Sequence, residues 1–273
     1  MTDHYAVLGN PIAHSKSPRI HSLFARQTQQ ALDYTAILVP LDGFAAAVAD
    51  FAAAGGKGVN ITVPFKEQAW RLAASRSPVA ERAGAVNTLV LHPDGNHHGD
   101  NTDGIGLVRD LRGNHGVTLA ASRILLLGAG GAARGVIEPL LDEKPRLLVI
   151  ANRTADKALE LARHFCTLGR IEGCGLDAVA GQSFDVIINA TAASLSGAVP
   201  ALPDDVVGDT TRCYDMMYGS EPTAFMRWAQ ARGARQVMDG LGMLVEQAAA
   251  AFWLWRGVRP DTAAVIAALR SDG

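Results

Sequence analysis

Cysteine is scarce. Three in 273 residues, Cys166, Cys174 and Cys213, make an odd number and include no close pair of metal-ligand spacing. A complete disulfide framework is thereby excluded, and a reduced, cytoplasmic setting is the expectation. Net charge is also lacking: at −2 the chain has no global field to attract nucleic acid or an anionic membrane. No apolar run is long enough to span a bilayer, the most apolar late stretch being only Ala248 to Trp255. Met1-Thr-Asp-His-Tyr5 has no basic region followed by an apolar core, the pattern of a secretory signal. There is no repeat of solenoid period and no low-complexity tail. The ordinary 48% of hydrophobic residues and the length suit two modest globular domains.

The most informative stretch is Arg123-Ile-Leu-Leu-Leu-Gly-Ala-Gly-Gly-Ala-Ala-Arg-Gly135. A short apolar run enters Gly128-x-Gly130-x-x-Ala133, and a helical pattern follows, the order expected of a dinucleotide-binding crossover. Gly128 permits the tight turn, Gly130 lets backbone approach a pyrophosphate, and Ala133 lets helix and strand pack closely. The new helix offers unpaired N–H groups to the phosphates. A second apolar strand, Leu147 to Ala151, ends in Asn152-Arg153-Thr154, with Lys157 one turn on. A carboxylate there would hold the ribose of NAD and repel a 2′-phosphate, whereas a guanidinium binds that phosphate. The residue types favour NADP(H) over NAD(H). The plainer reading is that Thr154 caps a helix and Arg153 is a solvated charge.

Along the chain, strands are expected at Tyr5–Gly9, Tyr34–Val39, Val59–Val63 and Val86–Leu91. Later ones are expected at Phe184–Ile188, Cys213–Met216 and near Gln236–Gly240. Helices alternate with them, which implies a mostly parallel α/β sheet. Ser17 before Pro18 reads as an N-cap followed by Pro at the first helical position. Pro139 should kink the helix after Gly135 or delay its start. Leu241 to Trp255 is a long helical pattern. His97-His98 lacks partners of metal-ligand spacing and is expected on a turn surface; no metal site is expected anywhere. Trp253 and Trp255 are expected to serve packing and interfaces.

Several polar residues need a reason. Asn60 and Thr62 share one side of a strand near its carboxyl end, where open α/β sheets bind ligands. Lys66 stands near a helix start, where the dipole disfavours a cation. Asn87 is an amide in a strand, and Asp103 begins a helix. Read singly, Lys66 is an ordinary surface charge and Asp103 an ordinary cap.

Read together, they resemble the shikimate dehydrogenase family. The motifs are Gly9-Asn-Pro-Ile-Ala-His-Ser15-Lys-Ser17-Pro18, Asn60-Ile-Thr62-Val-Pro-Phe-Lys66, Gly84-Ala-Val-Asn87-Thr and Asn101-Thr-Asp103-Gly. Further on come Asn189-Ala-Thr191, Tyr214-Asp-Met216 and Asp239-Gly-Leu-Gly-Met243-Leu-Val-Glu-Gln247. The resemblance implies reversible, NADPH-dependent reduction of 3-dehydroshikimate to shikimate, the small-molecule substrate. It implies Lys66 and Asp103 as the catalytic pair and Ser15 and Ser17 at the substrate carboxylate, with Tyr218 assisting. Asn60, Thr62, Asn87 and Gln247, with Asp103, would hold ring hydroxyls. Cofactor contacts would come from Gly128, Ala129, Gly130, Gly131 and Ala132, from Asn152, Arg153, Thr154 and Lys157, and from Thr191, Met216, Gly240 and Met243. The implied layout is an N-terminal α/β substrate domain, residues 1–103 completed by 240–273, and a Rossmann-like NADP-binding domain, 104–239.

The chemistry suits these residue types. Hydride arriving at a ketone carbon leaves negative charge on oxygen, which a cationic Lys66 can stabilise and protonate. Asp103 is the nearby counter-charge and an acceptor for the reacting hydroxyl. Ala192, Ala193 and Ser194 depart from the family pattern in a loop expected near the adenosine phosphate. Two alternatives stay open: an NAD-preferring quinate/shikimate dehydrogenase, disfavoured by Arg153, and a non-catalytic metabolite sensor, disfavoured by Lys66 and Asp103. Nothing fixes an oligomeric state; a homodimer is one admissible assembly.

Overall fold

The computed structural model describes residues 2–191, 193 and 197–271. Ala192 and Ser194 of the departing loop lie outside the described residues. The chain divides into two compact units, Met1–Gly106 with Val245–Gly273, and Leu107–Leu244. Both crossings fall inside helices, a few residues beyond the expected 103 and 240. Among the described residues, no helix is long and apolar enough to cross a membrane.

The first unit is built on a six-stranded sheet in the order β2-β1-β3-β5-β6-β4. Its elements are β1 (Asp3–Gly9), α1 (Ser17–Gln27), β2 (Leu32–Leu38), α2 (Phe44–Ala53), β3 (Gly56–Ile61), α3 (Lys66–Leu72), β4 (Ser75–Arg76), α4 (Pro78–Ala83), β5 (Thr88–Val90) and β6 (His98–Asp100). The strands β1, β2 and β3 are parallel, as a βαβ chain demands. The sheet then reverses: β5 runs antiparallel to β3, and β6 antiparallel to β5. The turn between β5 and β6 is short enough to join antiparallel neighbours. The expected strand Val86–Leu91 is therefore shorter, and Asn87 stands just ahead of it rather than within it. His97, expected on a turn surface, is buried and accepts the N–H of His92 through Nδ1 (3.2 Å). A core of Leu8, Phe44, Val59, Phe65 and Leu89 lies between this sheet and its helices.

The helix α1 corrects another expectation. It starts at Ser17 with Lys16 in the cap position and no side-chain cap bond. The Ser17 N–H turns instead to Ser15 Oγ (3.3 Å), so the Ser17 hydroxyl is not consumed as a cap.

The chain crosses along α5 (Asp103–Arg109), which a π-helical turn at Asp110–Asn114 extends. The second unit holds β7 (Arg123–Leu127), α6 (Gly131–Asp142), β8 (Leu147–Asn152), α7 (Ala155–Phe165), β9 (Ile171–Gly175), β10 (Val186–Asn189), β11 (Arg212–Asp215), α8 (Ala224–Ala231) and β12 (Gln236–Met238). Then α9 (Leu241–Arg256) and α10 (Thr262–Ser271) close the chain. All six strands of the second sheet are parallel, in the order β12-β11-β10-β7-β8-β9. That is the Rossmann order, with its reversal between β7 and β10. The helix α6 runs on through Pro139, whose missing N–H leaves the Gly135 carbonyl without a helix bond from that position. Neither delayed start nor interruption is seen.

In the first unit, His21 is a fully buried base. Its ring lies 4.1 Å from Tyr34 at an interplanar angle of 3°, with Phe24, Phe252 and Trp255 around it. Neither ring nitrogen has a hydrogen-bond partner. Burial pushes the imidazole pKa down to about 3, against a smaller opposing effect of Asn60. An unfolded histidine protonates near pH 6.5, so below that pH the unfolded chain binds the extra proton. Stability from His21 is complete above about pH 6.5 and is lost as pH falls towards 3. His21→Phe is expected to flatten the acid side of the stability profile by up to about 1.4 kcal/mol per pH unit. Urea unfolding of both proteins at about pH 7 and about pH 5 reads this directly, and an unchanged slope would refute it.

Candidate active site

Three strand ends of the first unit meet at one edge of the sheet. The register aligns Asn60 of β3 with Thr88 of β5, and Thr88 with Asp100 of β6. Because β5 is antiparallel, its amino end lies beside the carboxyl ends of β3 and β6. Lys66 follows β3, Asn87 precedes β5 and Asp103 follows β6, so all three arrive together.

Lys66 is the first residue of α3, where the helix dipole opposes its charge. What offsets this is Asp103: Lys66 Nζ donates to Asp103 Oδ2 at 2.5 Å. The Lys66 side chain keeps 20% of its surface exposed and that of Asp103 8%, so the ammonium is the reachable member of the pair. Asp103 is not a cap. Its own N–H donates to Asn101 Oδ1 (3.1 Å), and its second carboxylate oxygen accepts Asn87 Nδ2 (2.8 Å).

The amide of Asn87 has only one possible orientation. The Thr102 backbone N–H donates to Asn87 Oδ1 (2.9 Å), which leaves Nδ2 to face Asp103, Thr102 Oγ1 (3.0 Å) and Gln247 Oε1 (3.3 Å). Thr88 donates to the same Oδ1 (2.9 Å) and accepts from Asn60 Nδ2 (3.1 Å). Tyr34 closes the row by donating to Asn60 Oδ1 (2.7 Å). Burial pushes the Tyr34 phenol well above 10, opposed by Ser17, so it remains a donor. Lys66, Asp103, Asn87, Gln247 and Asn60 are thus members of one hydrogen-bond network. Tyr34, Thr88, Thr102 and Asn101 belong to it too, and sequence reasoning assigned none of them a role. For three of the four, adjacency to Asn87 or Asp103 was the available signal; Tyr34 carried none.

Thr62 lies just past β3, with its N–H on Leu8 O (3.0 Å). A Cβ at Gly9 would sit 2.3 Å from Thr62 Cγ2, so glycine ends β1 where the loop carrying Ser15 and Ser17 begins.

The second unit carries the nucleotide motif at its own topological switch point. Gly128 adopts φ +105°, and an added Cβ would crowd Ala190 O and Thr191 Cγ2 at 3.3 and 3.2 Å. Gly130 caps α6 without a side-chain bond, and a Cβ at Gly130 or Gly131 would project into open space. Ala129 and Ala132 flank them. This is an open cradle of unpaired N–H groups, and it fits a pyrophosphate. After β8, Asn152 Nδ2 holds the Thr154 carbonyl (2.9 Å), and Thr154 occupies the α7 cap position without a side-chain bond. Arg153 and Lys157 are both exposed, so this corner fits a phosphate monoester. Gly240 backs onto Met216, where a Cβ would lie 2.2 Å from the Met216 carbonyl. Gly242 similarly makes room for the buried carboxylate of Asp110. Burial alone would raise Asp110; hydrogen bonds from His115, Tyr214 and Asn114 outweigh it and hold the carboxyl below its usual value. Met243 packs into the core of this unit, and Tyr218 follows β11 with its phenol raised by burial.

A nucleotide fold in one unit and a lysine–carboxylate pair in the other belong together in a nicotinamide-dependent oxidoreductase. Comparison with known proteins narrows the class. Residues 7–89 match the shikimate dehydrogenase substrate binding domain, 111–197 the shikimate / quinate 5-dehydrogenase family, and 240–270 the shikimate 5′-dehydrogenase C-terminal domain. The chain is 59% identical to the shikimate dehydrogenase (NADP(+)) of Alkalilimnicola ehrlichii, all of each chain being covered. Among solved structures, an Ael1 enzyme from Pseudomonas putida matches at TM-score 0.93 and 50% identity, over 98% of both chains. The shikimate 5-dehydrogenase of Thermus thermophilus, solved with NADP(H) and shikimate, matches at TM-score 0.88 and 34% identity, over 99% of both. The chain belongs to the NADP-dependent shikimate dehydrogenase family.

Proposed function

We propose that this chain reduces 3-dehydroshikimate reversibly to shikimate, with Lys66 and Asp103 as its catalytic pair. The observation that carries the reading is the 2.5 Å Lys66–Asp103 contact, fixed from behind by Asn87. When bound, NADPH supplies the hydride for the ketone carbon. Lys66 Nζ stabilises the charge that gathers on the substrate oxygen and delivers a proton to it. Asp103 keeps the ammonium aimed and accepts from the hydroxyl in the reverse direction. Ser15 and Ser17 hold the substrate carboxylate, with the N–H groups at the start of α1 favouring its charge. Asn60, Thr62, Asn87 and Gln247 receive the ring hydroxyls, and Tyr218 assists at the carboxylate. The three free cysteines suit a cytoplasmic setting.

On the cofactor side, Gly128 to Ala132 cradle the pyrophosphate. Asn152, Arg153, Thr154 and Lys157 take the 2′-phosphate, and Thr191, Met216, Gly240 and Met243 flank the rest. NADP⁺ is expected to be preferred to NAD⁺ by about tenfold or more in kcat/KM. Arg153→Ala should erase most of that preference, since a bond to a charged group contributes roughly 1.5–3 kcal/mol. It should leave NAD⁺ nearly untouched. Steady-state titrations of both proteins with each cofactor at fixed ionic strength read this; equal losses with both cofactors would remove Arg153 from phosphate recognition.

The activity itself is tested by product analysis. Supplied with 3-dehydroshikimate and NADPH, the protein should consume both in equal amounts while shikimate accumulates. NADPH oxidation without shikimate would contradict the reading.

A further inference from the structure

We infer that Tyr34, seated on the His21 ring, is a positioning residue that clamps the Asn60 carboxamide and thereby sets how a substrate ring hydroxyl is recognised. The inference rests on the function proposed above and concerns residues that it leaves without a task.

The argument begins with the Asn60 side chain, which is buried and tied at both ends. Its Nδ2 faces the Asn87 backbone carbonyl (3.3 Å), which can only accept, and Thr88 Oγ1 (3.1 Å), whose proton is already committed to Asn87 Oδ1. Both amide protons are thereby spoken for. The orientation is settled by the chemistry of the partners: turned over, the amide would set oxygen against oxygen at Asn87. What remains on Oδ1 is two lone pairs. Tyr34 occupies one of them at 2.7 Å. Asn60 can therefore meet a substrate only as an acceptor, through Oδ1. Such a group binds a hydroxyl and gives nothing to a carbonyl.

Among the described residues, the Tyr34 phenol is the donor set on the oxygen end of that amide. Tyr34 is a lone aromatic on β2, an edge strand of its sheet, so its own strand does not fix the ring. The His21 face does: the two rings stack nearly parallel, and His21 in turn is boxed by Phe24, Phe252 and Trp255. The box also explains why a buried imidazole with two unpartnered nitrogens is retained at a position where an aliphatic side chain would avoid that cost. Its flat face is the useful part.

The test is a cycle of Tyr34→Phe, Asn60→Ala and the double variant, each assayed by shikimate oxidation with NADP⁺. Tyr34→Phe should raise the shikimate KM roughly fivefold, the loss of one neutral hydrogen bond. kcat should stay within about twofold and the NADP⁺ KM should not move. In the Asn60→Ala background the same change should add nothing, because Tyr34 acts through Asn60. A shikimate KM within about twofold of the parent in Tyr34→Phe overturns the inference, and so does the full rise reappearing on Asn60→Ala, or an equal rise in the NADP⁺ KM. If Tyr34→Phe does not fold, as judged by its melting curve, His21→Leu removes the platform while keeping the phenol. It should raise the shikimate KM in the same direction, and an unchanged KM there overturns the inference. A parent protein that does not oxidise shikimate overturns the activity itself, and this inference with it.

Discussion

Lys66→Ala is expected to lower turnover of shikimate by about two orders of magnitude or more, the usual contribution of a positioned proton-transfer group. The ammonium is held 2.5 Å from Asp103 at the carboxyl edge of the first sheet, and of the pair it keeps the more open surface. Its place as the first residue of α3 is electrostatically unfavourable without that partner. Removing it takes away the charge that develops its value only as the substrate oxygen becomes negative, so kcat should fall far more than shikimate KM rises. The fold should tolerate the change. Asp103 retains Asn87 as a donor, and the Lys66 carbonyl, which accepts the Val86 N–H (2.9 Å), is untouched by the substitution. Steady-state rates with a parallel melting curve check both statements. A folded variant turning over within a few-fold of the parent would take Lys66 out of the mechanism.

The second large effect concerns binding. Replacing Ser15 and Ser17 together with alanine should raise the shikimate KM by about a hundredfold or more. Each lost bond to a charged group contributes roughly 1.5–3 kcal/mol. Ser15 lies on the short approach to α1 and Ser17 begins the helix, and the Ser15 hydroxyl oxygen already fixes the loop by accepting the Ser17 N–H. Ser15→Ala alone thus removes a contact that shapes the loop as well as a donor, whereas Ser17→Ala removes a donor and its contact with the Tyr34 phenol. The single variants are expected to differ accordingly, with Ser15→Ala the more costly. Loss confined to the shikimate KM supports the carboxylate assignment. Unchanged saturation by shikimate in the double variant sinks it.

Much of the second unit was legible because most of its strands carry short apolar runs: β7 and β8 are each followed by a turn and a helix, and β10 is a third such run. The exception is β9, Ile171-Glu-Gly-Cys-Gly175, an edge strand with too little apolar content to stand out. Its Gly173 is there for packing: a Cβ would lie 2.3 Å from the Ala158 carbonyl of α7. Helix contact, not strand propensity, chose that residue. In the first unit the reversal of β5 was hidden, since a three-residue strand shows no period. That reversal is what delivers Asn87 to the site from the start of a strand instead of its end. The Ser17 cap was misread for a related reason. Sequence shows that a serine precedes a proline, but not that Ser15, two residues earlier, takes the N–H that a cap would have taken. Tyr34 was illegible altogether: a tyrosine in a strand is ordinary by propensity, and only the fold sets its hydroxyl on Asn60.

The central claim is an NADP-dependent oxidation of shikimate by this chain. One spectrophotometric screen tests it, following reduced nicotinamide as shikimate or quinate is offered with NADP⁺ or NAD⁺. The account predicts rapid reduction with shikimate and NADP⁺, at least about tenfold less efficient reaction with NAD⁺, and little with quinate. Activity greatest with quinate and NAD⁺, or none with any pair, would contradict it.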